Sequence, residues 1–411
     1  MSKRALALAL GVAATCALRA HGDESMPPWS DPGGIPVGAD ARSISPRKGD
    51  VYIHESPVLG APRRGLSLPF VNLPIYAAIN GTGCASRWIE IGPYAWVCGQ
   101  NVDWSQSEAT TAGEVLDAQA LFYRYYFAGE NGAMVYTRPN LDSATSRELE
   151  TGWSIATLPG SQRNGWVQTP SGHWVSLREL APARPSGFHG DVVDGTLRIG
   201  WVRTTQAAVY SSKPRKQKAT LLRQARIDVV ETEKVGATRW IRINDHDEWV
   251  RADDIAVPDL APPPKELVSP RERWIDVNLA NQTLVAYEGS SPVYATLVSS
   301  GRGTPGNVTP KGIFRIWVKI RSSTMDNAER DDVSRHYSMD EVPYVQFFSK
   351  DIALHGAYWH RDFGKKRSHG CVNLSPLDAK ALFDFTLPSL PIAWRAVYPT
   401  MRDPASLVVV H

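Results

Sequence analysis

The chain has 411 residues, of which 43% are hydrophobic and 21% charged, and its formal net charge is +3. This length predicts more than one domain, and the composition is that of a globular rather than a disordered protein. The small net charge provides no general attraction to nucleic acid, so we expect no nucleic-acid partner. The 14 tryptophans, 32 glycines and 30 prolines favour short strands and tight turns over long helices.

Residues 1–20 have the organisation of an export signal. Lys3 and Arg4 precede an apolar run from Ala5 to Leu18, which is shorter than the roughly 20 residues that a membrane span needs. We expect a flexible segment over residues 21–46 and location in the periplasm or cell envelope. Cys16 lies inside the signal, and two outcomes stay open for it: removal with the signal, or lipid anchoring.

Two further cysteines flank a predicted hairpin. Cys84 and Cys98 lie at its open end, with the turn at Gly92-Pro93. Antiparallel neighbours at such a position can reach disulfide distance, and an exported protein meets oxidising conditions. We predict a disulfide between them, with two small buried thiols as the alternative. Cys371 is then a free thiol, and in an exported protein this favours a chemical role.

Three segments share an aromatic pattern in which Trp and a β-branched residue are followed, eight or nine positions later, by Trp-Val. A Val-Tyr pair precedes the first Trp, with the Tyr 30 residues ahead in two segments and 36 in the other. The tryptophans are Trp88 and Trp96, Trp166 and Trp174, and Trp240 and Trp249, and the tyrosines are Tyr52, Tyr136 and Tyr210. The pattern resembles bacterial SH3-like domains, which implies three small β-barrels at residues 47–110, 111–185 and 186–258. Both wall binding and a spacer role stay open for them.

A proline-rich linker, residues 259–270, separates these repeats from a β-rich domain predicted at residues 271–398, with a C-terminal tail at 399–411. Alternating or apolar segments predict strands at residues 274–279, 284–287, 293–299 and 312–320. One clear helix is predicted from Ser375 as N-cap, with Pro376 in the first turn and Asp378 at its third position. We therefore expect a mostly β protein whose last domain folds independently of the repeats.

The last domain contains a group of residues suited to acyl transfer. The pair His355-Gly356 is followed by the sequence Ser368-His369-Gly370-Cys371 and then by Asn373. His355 and Cys371 are 16 positions apart. A cysteine becomes a useful nucleophile when a neighbouring base removes its proton, and an imidazole on an adjacent strand can do so. A glycine in the turn lets backbone N–H groups converge on a developing oxyanion.

These residues match the signature of the L,D-transpeptidase (YkuD-type) catalytic domain: a His-Gly, a spacer, then Ser/Thr-His-Gly-Cys-x-Asn. Residues 309–314 and 337–348 also resemble family segments, the latter one that lines or caps the substrate cleft. The resemblance implies Cys371 as nucleophile, His355 as general base and the Gly356 carbonyl as the group that orients the imidazole. It also implies that His369 stands beside the cysteine and that amides near Gly370 and Cys371 stabilise the oxyanion.

The same resemblance suggests where substrate is bound and which reaction follows. The expected substrate contacts are Tyr344, Trp359, His360, Ser368 and Asn373. No cofactor is expected. A zinc site made of histidines and Cys371 is disfavoured, because the five-residue separation of His355 and His360 would point them to opposite faces of a strand.

The implied reaction begins with attack of Cys371 on a peptidoglycan stem tetrapeptide, releasing D-alanine and leaving a thioester. An amine of a second stem, or of a wall-attached protein, then accepts the acyl group, giving a 3→3 cross-link or protein attachment. Attack by water would make the enzyme an L,D-carboxypeptidase. A non-catalytic wall-binding scaffold is the alternative from another class, and in each case we expect a monomer.

Overall fold

The computed structural model describes residues 40–113, 116–212, 215–327 and 336–411. The predicted signal and Cys16 lie outside these ranges. Within them the regular structure is strand apart from three single-turn 3₁₀ segments and one α-helix, so the expectation of a mostly β protein with one helix is confirmed. In the same ranges, no helix combines the length and apolar character needed to cross a bilayer.

Three units of short strands occupy the first part of the chain, and each ends in a 3₁₀ turn followed by a closing strand. Unit 1 comprises β1 (Ser43–Pro46), β2 (Tyr52–His54), β3 (Arg63–Ser67), β4 (Ala77–Ile79), β5 (Trp88–Gly92), β6 (Ala95–Cys98) and β7 (Val102–Ser105). Unit 2 comprises β8 (Arg124–Ala128), β9 (Ala133–Tyr136), β10 (Thr145–Leu149), β11 (Ser154–Thr157), β12 (Trp166–Gln168), β13 (Trp174–Ser176) and β14 (Leu180–Pro182). After β15 (Asp191–Val192), unit 3 comprises β16 (Ile199–Val202), β17 (Gln206–Tyr210), β18 (Gln217–Leu222), β19 (Arg226–Asp228), β20 (Glu231–Val235), β21 (Thr238–Arg242), β22 (Trp249–Arg251) and β23 (Ile255–Ala256).

An aromatic contact recurs at the same place in the three units. In each unit, an aromatic or histidine residue on the second strand makes two contacts. Its ring packs edge to face against the first Trp of the pattern, and its backbone pairs across the sheet with the second Trp. The edge-to-face pairs are Tyr136–Trp166 at 5.4 Å, Tyr210–Trp240 at 5.1 Å and His54–Trp88 at 5.2 Å between centroids. In unit 1 this position thus belongs to His54, whereas the sequence pattern had indicated Tyr52. The resemblance to SH3-like domains stays a prediction.

Two predicted boundaries shift in the structure. β1 falls within the segment predicted to be flexible, residues 21–46, but it pairs with β7 and opens unit 1. β15 falls within the predicted third repeat, yet it pairs with a strand of the last domain. Both are short strands whose partners are distant in sequence, so local pattern could not assign them.

A disulfide joins Cys84 and Cys98, whose Cα atoms are 5.6 Å apart. Cys98 is the last residue of β6 and lies opposite Trp88 of β5. The bridge therefore closes the open end of the hairpin and ties the loop before β5 to the core of unit 1.

The C-terminal domain contains ten strands and the helix α1 (Pro376–Phe385). The strands are β24 (Arg273–Asn278), β25 (Thr283–Glu288), β26 (Ser291–Leu297), β27 (Gly312–Arg315), β28 (Val318–Asp326), β29 (Ser338–Ser349), β30 (Ile352–Gly356), β31 (Val372–Leu374), β32 (Trp394–Val397) and β33 (Leu407–Val410). One sheet has the order β15-β26-β25-β24-β33-β27, and the other begins β31-β30-β29-β28-β32. The strand expected over residues 312–320 is split at Ile316 and Trp317 into β27 and β28.

The expected tail, residues 399–411, instead supplies an inner strand. β33 runs parallel to β24 and antiparallel to β27, and three of its four residues are buried. Its sequence, Leu-Val-Val-Val, lacks the alternation of a half-exposed strand, which is typical of a strand covered on both faces. The domain therefore extends well beyond residue 398.

The helix α1 begins as predicted and also holds the chain between units 2 and 3. Ser375 Oγ accepts the N–H of Asp378 at 3.1 Å, as an N-cap does. The fully buried Asp378 carboxylate accepts hydrogen bonds from Gly190 N–H, Tyr294 OH, Thr296 Oγ1 and Ser375 Oγ, at 2.6–2.8 Å. This carboxylate thus fixes the chain just before β15 against the C-terminal domain.

The proline-rich linker does not isolate the C-terminal domain, contrary to our expectation of independent folding. β3 of unit 1 pairs with β32, so β28 and β32 continue through β3, β2, β6, β5 and β4 into one ten-stranded sheet. Without unit 1, β32 would be an unpaired sheet edge, which proteins ordinarily cover. Unit 1 is therefore part of the architecture of the last domain.

Gly65 lies where the two parts of this sheet meet, opposite Val397. A Cβ at Gly65 would lie 2.6 Å from the Ala396 carbonyl oxygen and closer still to the Trp394 ring. We expect Gly65→Ala to lower the free energy of unfolding by about 1–3 kcal/mol through overpacking. Denaturant unfolding monitored by tryptophan fluorescence measures this. Gly113→Ala is the matched control, because a Cβ there would meet nothing within 4 Å; equal loss in both variants would contradict the tight junction.

The disulfide generates a second prediction. Cys84→Ala/Cys98→Ala should lower the free energy of unfolding by about 3 kcal/mol, because an open loop restores conformational freedom to the unfolded chain. Denaturant titration with and without a reductant tests this, the double variant serving as a control that the reductant should not affect. Superimposable curves for the wild-type protein in both conditions would show that the bridge contributes nothing.

Candidate active site

The predicted nucleophile and base lie on or next to a parallel pair of strands. In the pairing of β30 with β31, His355 lies opposite Asn373 and Leu354 opposite Val372. Cys371 immediately precedes β31, and side chains two positions apart on a strand share a face. Cys371 therefore faces the same side as Asn373, and so the same side as His355.

His355 is held as a neutral base. Its side chain is buried, and its Nδ1 donates to the Gly356 carbonyl at 3.2 Å. Because a carbonyl can only accept, this bond leaves the lone pair on Nε2. Burial lowers the pKa of His355 to about 4, and the bond to Gly356 opposes that shift. The imidazole is thus unprotonated at neutral pH and able to accept a proton.

Cys371 is a half-buried free thiol. Burial raises its pKa to about 11, and a backbone hydrogen bond from Ala353 partly opposes this. Its Sγ lies 3.9 Å from the Asp351 carbonyl oxygen. Both shifts favour a neutral thiol and a neutral imidazole over a thiolate and an imidazolium.

The turn that precedes Cys371 is stabilised by the hydroxyl group of Ser368, which lies within the turn. Ser368 Oγ donates to the Cys371 carbonyl and accepts the N–H of Gly370 at 3.1 Å. Gly370 has a φ of +142°, and a Cβ there would lie 2.6 Å from Ile352 Cδ1, so the turn requires glycine. The Gly370 N–H is therefore committed to the turn rather than open to an oxyanion. Ser368, predicted to contact substrate, is buried and serves the turn instead.

Thr309 is a site residue that the sequence argument used only as part of a family-like segment. Its buried hydroxyl donates to the Gly370 carbonyl at 2.6 Å and accepts the N–H of Gly301 at 2.8 Å. It therefore links the turn at residues 368–371, which we call the nucleophile turn after the predicted role of Cys371, to the loop that follows β26. In the sequence, Thr309 is notable only as part of the family-like segment Thr309-Pro310-Lys311-Gly312, and that segment does not indicate its contact with Gly370.

His369 and Trp359 carry aromatic rings near the predicted catalytic residues and differ in exposure. The exposed His369 ring stacks on Tyr337 at 4.8 Å, and Arg302 Nη1 lies 3.1 Å from its Nε2. The half-buried Trp359 ring lies 5.6 Å from the His355 ring, so it packs beside the imidazole, and its role in binding substrate stays a prediction.

Unit 2 braces the residue next to Trp359. Tyr358 is fully buried and stacks on Tyr125 of unit 2 at 3.7 Å between centroids. Its hydroxyl lies 2.7 Å from Ser154 Oγ and donates to the Asp340 carbonyl at 2.7 Å. The Asp340 N–H donates in turn to Ser154 Oγ at 2.8 Å. This buried network fixes the segment that carries Trp359.

Tyr344 does not line the cleft, contrary to prediction. It is buried, its ring packs against Phe122 at 5.0 Å and Phe383 at 5.7 Å, and its hydroxyl donates to the Ala120 carbonyl. The φ of Tyr344 is +59°, an unusual value for a bulky residue. Tyr344 was expected in the cleft because residues 337–348 resemble a family segment, and that resemblance does not reveal this backbone conformation.

His360 and Asn373 are interior residues rather than open substrate contacts. Both are buried, and His360 Nδ1 accepts the N–H of Asp362 at 3.2 Å, which leaves the ring proton on Nε2. That Nε2 lies 3.0 Å from the Asn373 side-chain amide and, because it carries the proton, donates to the amide with the group turned so that its oxygen faces the ring. Burial lowers the pKa of His360 to about 3, so the pair is uncharged and ties β31 to the loop after β30. Across the described ranges, no group of three or more His, Cys, Asp or Glu is arranged to hold a metal.

Comparison with known proteins identifies the domain that carries this site. Residues 272–398 match the model of the L,D-transpeptidase catalytic domain. YciB of Bacillus subtilis (strain 168), which bears the name of an L,D-transpeptidase, is 26% identical over 144 residues, covering 33% of this chain and 69% of YciB.

Solved structures also match part of the chain. A crystal structure of the Enterococcus faecium L,D-transpeptidase is 23% identical with a TM-score of 0.27, over 34% of this chain and half (50%) of that one. An L,D-transpeptidase from Mycobacterium smegmatis is 18% identical with a TM-score of 0.28, over 44% of this chain and 79% of that one. Because both TM-scores are low, the family assignment rests on the sequence matches. Residues 272–398 belong to the YkuD family of L,D-transpeptidase catalytic domains.

Proposed function

We propose that this protein is an exported L,D-transpeptidase that acts on peptidoglycan stem peptides through a Cys371 thioester. The observation that supports this most directly is the shared face of His355 and Cys371 on the β30–β31 pair. The neutral imidazole, with its lone pair on Nε2, and the protonated thiol are the forms that general-base activation requires.

The acylation step follows from these protonation states. As the Cys371 sulfur attacks the carbonyl carbon of the third, L-centred residue of the stem, His355 Nε2 takes the thiol proton. An S–C bond forms, and the carbonyl oxygen becomes an oxyanion beside the turn. Collapse of this intermediate breaks the C–N bond to D-alanine, whose nitrogen receives the proton from the His355 imidazolium. A thioester and free D-alanine result.

The transfer step reverses these proton movements. An amine of a second stem, or of a wall-attached protein, loses a proton to His355 as it attacks the thioester. The C–S bond breaks, the sulfur regains a proton, and an amide links the two molecules. With a diamino-acid acceptor the product is a 3→3 cross-link. Water in place of the amine would give carboxypeptidase activity instead.

Location in the periplasm or cell envelope is part of the proposal. It is supported by the signal-like residues 1–20 and by the disulfide between Cys84 and Cys98, which oxidising compartments favour. Under this proposal, units 1–3 are the SH3-like repeats of a wall enzyme. Lipid anchoring through Cys16 is a separate question that intact mass of the exported protein answers.

The first functional prediction concerns the nucleophile. Cys371→Ala should abolish D-alanine release and the mass adduct formed with a carbapenem, because no other described cysteine is a free thiol. Intact-mass spectrometry and a D-alanine assay measure both, and circular dichroism checks that the fold is retained. Cys371→Ser is the conservative companion and should also be nearly inactive, since a hydroxyl is far less acidic than a thiol. D-alanine release by the folded Ala variant would exclude Cys371 as the nucleophile.

The second functional prediction concerns pH. Catalysis needs His355 unprotonated, so the acylation rate should fall as pH drops through the lowered pKa of His355, about 4, rather than through the usual histidine range. Single-turnover acylation between acid and neutral pH locates this limb. His355→Gln should lower the rate by about 10²-fold and remove the limb.

The matched control is His246→Gln, which changes an exposed histidine of unit 3 and should leave the profile as in the wild type. An acid limb near 6.5 in the wild type would mean that His355 is solvated in solution, or that another group is the base.

A further inference from the structure

A recess of about 540 Å³ lies between unit 3 and the C-terminal domain. Unit 3 contributes one loop, and the C-terminal domain contributes the β24–β25 turn and the segment that leads to the nucleophile turn. The lining residues are Arg203, Thr204, Thr205, Ala280, Gln282, Gly364, Lys365 and Lys366. We call this the cationic recess.

The unit 3 wall of the cationic recess is held by main-chain bonds. Arg203 N–H donates to the Asp254 carbonyl at 2.9 Å, and Arg223 N–H donates to the Thr205 carbonyl at 3.0 Å. Across the interface, Arg223 Nη2 donates to the Phe363 carbonyl at 2.9 Å, and Gln224 Nε2 donates to the Arg361 carbonyl at 2.9 Å. The two walls are therefore fastened to each other directly beside the recess.

The wall from the C-terminal domain is equally fixed. Gly364 N–H donates to the Val298 carbonyl at 2.8 Å, at the end of β26. Gln282 bonds Ser300 twice: its Nε2 donates to Ser300 Oγ at 2.7 Å, and its Oε1 accepts the Ser300 N–H at 2.9 Å. The recess is thus a preformed concavity, which lowers the ordering cost of binding.

The charge of the cationic recess selects for anions. Three of its lining side chains are cationic, those of Arg203, Lys365 and Lys366, and none of the described residues that line it is acidic. Thr204 and Thr205 add hydroxyl groups, whereas the Gln282 amide is already bonded to Ser300 and Leu279. An arginine with adjacent lysines matches carboxylate or phosphate, because the guanidinium binds such groups in a bidentate manner and the lysines add positive potential.

The cationic recess is near the nucleophile but separate from it. Lys366 precedes Cys371 by five positions, which an extended chain spans in at most about 18 Å. Cys371 is not among the residues that line the recess. Ser300 connects the two regions, because its carbonyl accepts the Arg367 N–H at 2.8 Å and its N–H donates to Gln282 Oε1 at 2.9 Å.

We propose that the cationic recess binds the free carboxylates of the acceptor stem peptide and so helps to select the second substrate. This inference rests on the proposed transpeptidase function, which needs two peptides, one of them held at Cys371. Wall peptides bear several carboxylates, and the recess offers cations within a short peptide's length of the thioester. The recess therefore acts on the transfer step and not on acylation.

The test uses the full chain with Arg203→Gln/Lys365→Gln/Lys366→Gln, and Lys234→Gln/Arg239→Gln as a control that removes exposed cations elsewhere on unit 3. A tetrapeptide stem is the donor. The acceptor is a diamino-acid tripeptide stem, supplied with free carboxylates or with all carboxylates amidated. Mass spectrometry follows D-alanine release and cross-linked product against acceptor concentration.

For the free-acid acceptor, we expect the acceptor KM to be about tenfold higher in the triple variant, because a few weak ion pairs are lost. The rate of acyl-enzyme formation should stay at the wild-type value, and the amidated acceptor should show the higher KM with both proteins. The control should match the wild type throughout. Added salt should weaken the wild-type preference, because it screens exposed charges.

Calorimetric binding of the free-acid tripeptide to Cys371→Ala protein, with and without the three recess substitutions, tests the recess without catalysis. Loss of this binding upon substitution supports the inference even if no turnover is found, and then the proposed function alone fails. Equal KM values for free and amidated acceptors in all proteins, with unchanged calorimetric binding, would overturn it. A different result would also overturn it: binding of poly(glycerol phosphate) that depends on the three cations, together with tripeptide binding that does not depend on them. The recess would then bind a phosphate polymer.

Discussion

The parallel pairing of β30 with β31 is the constraint on which the site depends. Parallel neighbours cannot be joined by a tight turn, so a crossover of a dozen or more residues is needed. Here residues 357–371 make that crossover without an α-helix, and they carry Trp359, the nucleophile turn and Cys371 itself. An irregular segment of this length has backbone groups that its own structure does not satisfy. Its position must therefore be set by contacts from other parts of the chain.

Those contacts come from units 2 and 3 and from the C-terminal domain itself. Tyr125 of unit 2 stacks on Tyr358 near the start of the crossover, and Arg223 of unit 3 donates to the Phe363 carbonyl in its middle. Thr309 donates to the Gly370 carbonyl at its end. Unit 1 acts farther away, by completing the sheet at β32. The units thus have a structural task at the catalytic domain, whatever they bind on their outer surfaces.

Structural features that depend on neighbouring residues in the chain could be predicted from the sequence. Features that depend on partners distant in the sequence could not. The helix α1 follows from its capping residues, and Cys371 and His355 from a chemically specific motif. β33 was misread because its partners are distant in sequence: residue 407 pairs with Trp274 of β24 and Arg315 of β27. Tyr344 was misplaced because its positive φ has no signature in a tyrosine. In unit 1 the shift from Tyr52 to His54 depends on a register that only the structure reveals.

Burial at the reacting groups explains why anion recognition would be located away from them. The surroundings that lower the pKa of His355 and raise that of Cys371 disfavour charge at either group before substrate arrives. A cation placed against the thiol would stabilise the thiolate and abolish the neutral pair that general-base attack uses. Under the proposal, the cations of the recess between unit 3 and the C-terminal domain attract a carboxylate without contacting the sulfur, since Cys371 does not line the recess. The proposal thus separates an uncharged pair for bond making from the charged side chains that bind the acceptor.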